Sequence, residues 1–518
     1  MGQTLEPAGS EGGTVVEGSL TDISSVMPVV TDDDASGDFQ ATIFEPLFAV
    51  DPFTLEPVGV LAAAWESNDD ASVWTIYLRD GVTWHDGEPF TADDVRFTYD
   101  LHMHPDTGSS YTADLRAKIA SIDVIDDRSI RFTLSGSTVD FPLEIGIYPI
   151  VAAHIWASVA PADIATDPGT TGADPSRVIG TGPLIFAEWV PGDHATAVRN
   201  PRYWGGAPHI DAFVYKVVPD QATGVAQLKA GDIHLLQGVA GPLAAQLQGS
   251  DDIEIVGAER LSFTFYATNM DPEKTPLFQD ANVRKALLYA IDRAALVDDI
   301  RSGYGSVAIG TLPPFSWAAD PDGIVERYEY NPARAVALLE AAGWVDRNGD
   351  GVVDKNGLEL SFTAYTNAGN PEREAYLKAI QAYWQAIGVR MEIRLEEYGA
   401  LLERISISHE YEVVLLGFGW SATPDQSAMW ACNSYEGGYN MVKYCNPAVD
   451  ALAAEALNEA DATRRRALYT EMQNLLLDDL PLAILDFPQL PTAVSTRLHN
   501  VFPSDINLYW NINTWWVE

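Results

Sequence analysis

Residues 74–95 read WTIYLRDGVTWHDGEPFTADDV. The opening WTIYLRDGV reads as a strand that runs into a turn. Trp84-His85-Asp86-Gly87 then reverses the chain, with Gly87 available for a positive φ. Thr91 is placed to cap a helix, and Asp94, three residues on, completes an acidic variant of the capping box. His85 invites a catalytic or metal-binding reading. It has no second histidine at ligand spacing, so the stretch reads as scaffold.

The rest of the chain bounds what such a scaffold serves. Its 518 residues suffice for two or three domains, and 47% hydrophobic with 10% aromatic residues excludes a disordered chain. With 74 acidic against 31 basic residues, the net charge of -43 repels nucleic acid and suits a soluble protein in salty or extracellular surroundings. No stretch approaches the roughly 20 apolar residues of a membrane span. The first residues, MGQTLEPAGSEGG, are polar and carry no signal segment. They are expected to be an expression remnant joined to a flexible mature N-terminus, so cytosol is not implied. Cys432 and Cys445 bracket a short Gly-rich loop without other thiols or histidines, which favours a disulfide over a metal pair and an oxidising compartment.

Two textures alternate along the chain. From Gly13 to about Trp189, short β-rich runs such as SIRFTLSG mix with short helices such as DDVRFTYDLHM. From Asp271 the pattern turns helical, with VRKALLYAIDRAALVDDI expected as one amphipathic helix. The order then runs helix PARAVALLEAAGW, strand LELSFTAYT, helix REAYLKAIQAYWQAIG, strand VRMEIRLEE, helix GALLERISI and strand YEVVLLGFG. This alternation predicts an α/β domain with a largely parallel sheet. After RRRALYTEMQNLLLDD the strand-like texture returns and runs to the end, which suggests two lobes joined by more than one crossover.

The quoted signature resembles the family 5 extracellular solute-binding proteins of ABC importers, the dipeptide- and oligopeptide-binding group. FEPLFAVD, IGTGPLIFAEW, NPRYWGGAPHID, LKAGDIHLL, DANVRKALLYAIDRAALV, NPARAVALLEAAGW and FGWSATPDQ follow in the family's order over nearly the whole chain. The resemblance implies an α/β, two-lobed, periplasmic-binding-protein-like fold. Its first lobe would hold residues 14–260, with an extra subdomain at about 50–175, and its second, α/β lobe residues 261–486. Residues 487–518 would return to the first lobe. It further implies a secreted or lipid-anchored monomer that closes on a solute and delivers it to a membrane permease, with no catalysis.

Motifs of other classes are weak. GWSAT at Gly419 approaches a nucleophile elbow, but Thr423 replaces its closing glycine and Pro424 follows. HEYEV at His409 lacks the second histidine of a zinc motif, and the rings of His102 and His104 share a side only in a strand. An extracellular hydrolase is the alternative from another class. The paired acids Asp93-Asp94 and Asp251-Asp252 are expected to be solvated surface. DRNGDGVVD places Asp346, Asn348, Asp350, the Val352 carbonyl and Asp354 at calcium-loop positions, although Gly357 stands where the bidentate glutamate belongs. A calcium ion and a bare polar turn both fit, and no cofactor is required.

For the solute, YEVVLLGFGW followed by SATPDQ is the most informative segment. Ligands of α/β domains sit beyond the carboxyl ends of the strands, where Trp420 would offer an apolar platform unless it belongs to the core. In the dipeptide binders, an Asp three residues after the matching Trp pairs with the peptide ammonium. Here that position is Thr423, with Asp425 two residues on. The family's carboxylate-gripping Arg falls at Asn367, with Arg373 the nearest cation downstream. The resemblance thus implies a site of Trp420, Thr423, Asp425 and Asn367 with both charge clamps altered. Peptides remain the first expectation for the solute, and neutral oligosaccharides or metal chelates the alternatives.

Overall fold

The computed structural model describes residues 5–31, 33–435 and 438–518. Met1–Thr4, the start of the expected remnant, lie outside them. The described chain forms two compact units, residues 5–259 with 490–518, and residues 260–489. The expected return point was 487.

In the first unit, Thr14–Ser19 lies parallel to both Ala212–Val217 and Leu235–Leu236. Ala212–Val217 continues antiparallel through His194–Arg199 to Leu184–Val190. A core that includes Val15, Phe39, Phe186, Phe213 and Trp515 covers this sheet. Within the same unit, Ala62–Ser67, Val73–Leu78, Ser129–Leu134 and Ile119–Asp126 form a separate antiparallel sheet with its own core, onto which helix Ala92–Met103 packs Val95 and Tyr99.

The quoted signature lies in this subdomain. Gly87 has φ 101°, and the Arg202 guanidinium stands 3.1 Å from where its Cβ would be, so no other residue fits the turn easily. The Thr91 N–H donates to the Asp94 carboxylate at 2.9 Å, closing the capping box. That carboxylate also receives the Trp84 indole at 3.3 Å and the Ala153 N–H at 2.9 Å. Asp94 is therefore buried, and the expectation of a solvated surface acid fails for it because these donors compensate its desolvation. His85 accepts from the Gly180 N–H at Nδ1 and donates from Nε2 to the Gly182 carbonyl. Burial holds its pKa down at about 4, so it is a neutral strut.

In the second unit, Arg390–Glu396, Ser361–Asn367 and Val413–Gly419 run parallel, because helices make the crossovers between them. Ser262–Thr268, however, lies antiparallel to Val413–Gly419, and the first part of Leu482–Ser495 lies antiparallel to Ser262–Thr268. The sheet is mixed rather than largely parallel. Val413 and Leu415 enter one core with Tyr376, Ile380 and Trp384, whereas Val414 and Leu416 enter another with Leu401, Trp430 and Tyr469. Burial on both faces explains the continuous apolar run of that strand.

The expected helix VRKALLYAIDRAALVDDI is two helices, Ala281–Tyr289 and Arg293–Ile300. Asp292 caps the second by accepting from the Ala295 N–H at 3.0 Å. The buried Arg293 guanidinium donates to the Arg327 and Tyr328 carbonyls, which fixes the break. Apolar residues on both sides of the break meet one core, so their spacing hides it.

Buried carboxylates mark both units. Glu17 accepts from Gln237 and Tyr509, each at 2.8 Å, and Glu45 from Thr181, Tyr203 and Trp204. Burial pushes each carboxyl up to about 7 against these hydrogen bonds. In the second unit, Asp486 is fully buried, bonded to the Arg301 guanidinium at 2.8 Å and to the Tyr376 hydroxyl at 2.8 Å.

Candidate functional site

Two neighbouring parallel strands of the second unit end at Asn367 and Gly419, and both lead into polar loops. Asn370 caps helix Pro371–Gln385 by accepting from the Arg373 N–H at 2.9 Å. This cap places Arg373 in the first helical turn. From there its guanidinium donates to the Asn367 side-chain oxygen at 2.7 Å. Its other arm lies 3.0 Å from where a Cβ on Gly417 would stand, so any side chain there would displace it. Burial lowers the Arg373 pKa, opposed by Tyr398 and Glu372, yet the group remains a cation at neutral pH.

Glu372, beside it, holds Arg301 at 3.2 Å. Arg301 also donates to the Thr264 hydroxyl at 2.6 Å and lies 5.4 Å over the Tyr376 ring. Burial pushes the Asp486 carboxyl up, and Arg301 opposes this. The first turn of the helix that carries Arg373 is thereby tied to strands Ser262–Thr268 and Leu482–Ser495.

Trp420 continues the ladder past the end of its strand, its N–H donating to the Leu261 carbonyl at 2.7 Å. Its half-buried ring packs 5.5 Å from Phe418, and its indole N–H finds no acceptor among the described residues. Phe418 in turn meets Phe263 at 6.0 Å and Tyr439 edge-on at 4.9 Å. Trp420 is thus neither fully core nor free, but the rim of an aromatic row.

The Thr423 hydroxyl accepts from the Asp425 N–H at 3.3 Å. Asp425 Oδ1 accepts both the Ser427 N–H at 3.0 Å and the Ser427 hydroxyl at 2.5 Å. The Asp425 carboxylate therefore shapes the turn into Ser427–Trp430. Asn367 meets Arg373, and Trp420 meets the Phe418 row; Thr423 and Asp425 meet each other.

Cys432 and Cys445 are joined, with their Cα atoms 4.4 Å apart. The loop between them carries Tyr439, which the sequence reading passed over. Its signal was a tyrosine inside a Gly-rich, cysteine-bracketed loop. Glu436 and Gly437 of that loop lie outside the described residues.

Asp346 accepts the Gly349 and Gly351 N–H groups at 2.7 and 3.0 Å, and Asp350 accepts that of Val352 at 2.9 Å. Asn348 bonds Asp350 in both directions, and Asp354 pairs with Arg347 at 2.9 Å. Among the described residues, no group of three or more His, Cys, Asp or Glu side chains is arranged to hold a metal ion. Nor is any helix among them long and apolar enough to cross a membrane.

An α/β chain in two units, with a polar and aromatic site beyond the ends of parallel strands, is the architecture of a solute-binding protein. Residues 56–440 match the model of the bacterial extracellular solute-binding proteins, family 5 Middle, and the chain belongs to that family. It is 30% identical over 516 residues to the oligopeptide-binding protein AppA of Bacillus subtilis, covering 98% of this chain and 92% of the relative. It is also 30% identical over 451 residues to heme-binding protein A of Haemophilus influenzae, covering 82% and 78%. The solved structure of B. subtilis AppA in complex with a nonapeptide matches 98% of this chain and 99% of its own, at 29% identity and a TM-score of 0.71.

Proposed function

We propose that this chain is the solute receptor of an ABC importer, that its solute is a peptide, and that it delivers that peptide to a membrane permease unchanged. It acts outside the cytoplasmic membrane, as a monomer and without a cofactor. The observation that carries the reading is the pairing of Arg373 with Asn367 beyond the parallel strands. A cation stands beside the position where the dipeptide binders keep theirs. It can neutralise a peptide carboxylate, whereas a neutral oligosaccharide offers no charge for it to pair with. Family membership and the AppA–nonapeptide structure support a peptide over a sugar.

Calorimetric titration with a synthetic nonapeptide, with maltotetraose and haemin as comparators, tests this. Saturable binding of the nonapeptide, recovered intact, is expected. Binding of haemin or the sugar without the peptide would overturn the solute, and cleaved peptide would overturn the receptor reading.

A further inference from the structure

We propose that Tyr439, held out by the disulfide loop, is a specificity residue: with Phe418 and Trp420 it forms a subsite for one aromatic or bulky aliphatic side chain of the peptide. The inference rests on the peptide-receptor reading and adds to it which side chain is selected and by what.

Tyr439 is 54% exposed, yet backbone hydrogen bonds hold Gly438, Tyr439 and Met441. Its N–H donates to the Ala428 carbonyl at 3.0 Å, and its carbonyl accepts from the Met441 N–H at 2.9 Å. The next residue, Asn440, is buried and bonds Ala431 and Tyr444 at 3.1 and 2.7 Å, while the Tyr411 hydroxyl donates to the Met441 carbonyl. On the other side, the Gly438 N–H donates to the Ser434 carbonyl at 3.1 Å, and a Cβ on Gly438 would stand 2.6 Å from that oxygen. The Cys432–Cys445 bond closes the base of the loop.

The bonds at Gly438, Tyr439, Asn440 and Met441 present a large aromatic side chain in one place. That ring is not buried by the loop itself; it leans edge-on against Phe418, which adjoins Trp420. Rings in such an arrangement leave faces and edges open to a further ring or a branched aliphatic group. The occupant is a side chain of the bound peptide because the row is continuous with Trp420, which follows the strand ending at Gly419 beside the proposed peptide site.

The test is capture of a randomised hexapeptide pool, with the retained peptides sequenced by mass spectrometry. The wild type should enrich Phe, Tyr, Trp or Leu about tenfold at one position. Tyr439→Phe should keep that enrichment. Tyr439→Ala should reduce it to about twofold or less, as expected for the loss of one aromatic contact. Cys432→Ser with Cys445→Ser, checked for fold by circular dichroism, should reduce the enrichment in the same way. Undiminished enrichment in Tyr439→Ala would overturn the assignment, and so would loss of all capture by that variant while still folded. Capture by the wild type without side-chain preference would sink the subsite and leave the receptor reading standing. No capture at all by the wild type would sink both.

Discussion

The Arg373 guanidinium donates to the Asn367 side-chain oxygen at 2.7 Å, six positions back along the chain. One strand end and one capped helical turn thereby share a cation that a comparison position by position leaves out of place. Arg373→Gln is expected to weaken a peptide with a free C-terminal carboxylate by about 2–3 kcal/mol. The C-terminally amidated form of that peptide should bind both proteins alike. Calorimetry with the two peptide forms checks this, and equal losses for both would remove the carboxylate from Arg373.

Arg301 and Asp486 form a buried pair, their side chains 9% and 0% exposed. Arg301→Met leaves a buried carboxylate without its cation and should cost about 3–5 kcal/mol in urea unfolding. Arg301→Met with Asp486→Leu should recover most of that loss, since no charge is then stranded. A double variant no more stable than the single one would show that the pair itself stabilises the unit.

The stability contributed by Glu17 and Glu45 should fall as pH rises through the acidic range. In the folded chain, Glu17 and Glu45 keep their protons up to about 7, against 4.5 for the free side chain, chiefly through burial. Between those values the folded state binds more protons than the unfolded one. The contribution is therefore complete below about 4.5 and lost by about 7. Tyr509, Gln237, Tyr215 and Asp38 are the groups coupled to Glu17. The unfolding free energy of the wild type minus that of Glu17→Gln should drop by up to about 3 kcal/mol from pH 4.5 to pH 8. A difference that stays flat with pH would refute the raised pKa.

The Asp346–Asp354 turn holds itself closed by backbone N–H groups and Arg347. Adding a chelator should leave the melting temperature unchanged within about 1 °C, because these bonds close the turn by themselves. A fall of several degrees, reversed by calcium, would restore the ion to this loop.

Local rules served the sequence reading best where one residue's chemistry decides the outcome. The Thr91–Asp94 box and the Gly87 turn are such cases, because caps and positive φ depend on neighbours in the chain. The helix break at Asp292 escaped notice because the apolar spacing runs through it, and only the buried Arg293 reveals its cause. The mixed sheet was missed for a different reason. Ser262–Thr268 reads like any other strand, and its direction follows from the connection it lacks. At the proposed site, Asn367 stood out as the end of a strand and Trp420 as the residue just past one. Arg373 and Tyr439 depend on a helix cap and a pinned loop, which place side chains that spacing alone does not.

Native mass spectrometry of the protein purified without refolding tests the central claim most directly. Wild-type protein should carry adducts whose fragmentation gives peptide sequences, and Trp420→Ala should carry few or none, as expected from losing an aromatic anchor. A wild-type adduct that proves to be haem or a sugar series, or peptide adducts retained equally by Trp420→Ala, would contradict a peptide receptor built around this site.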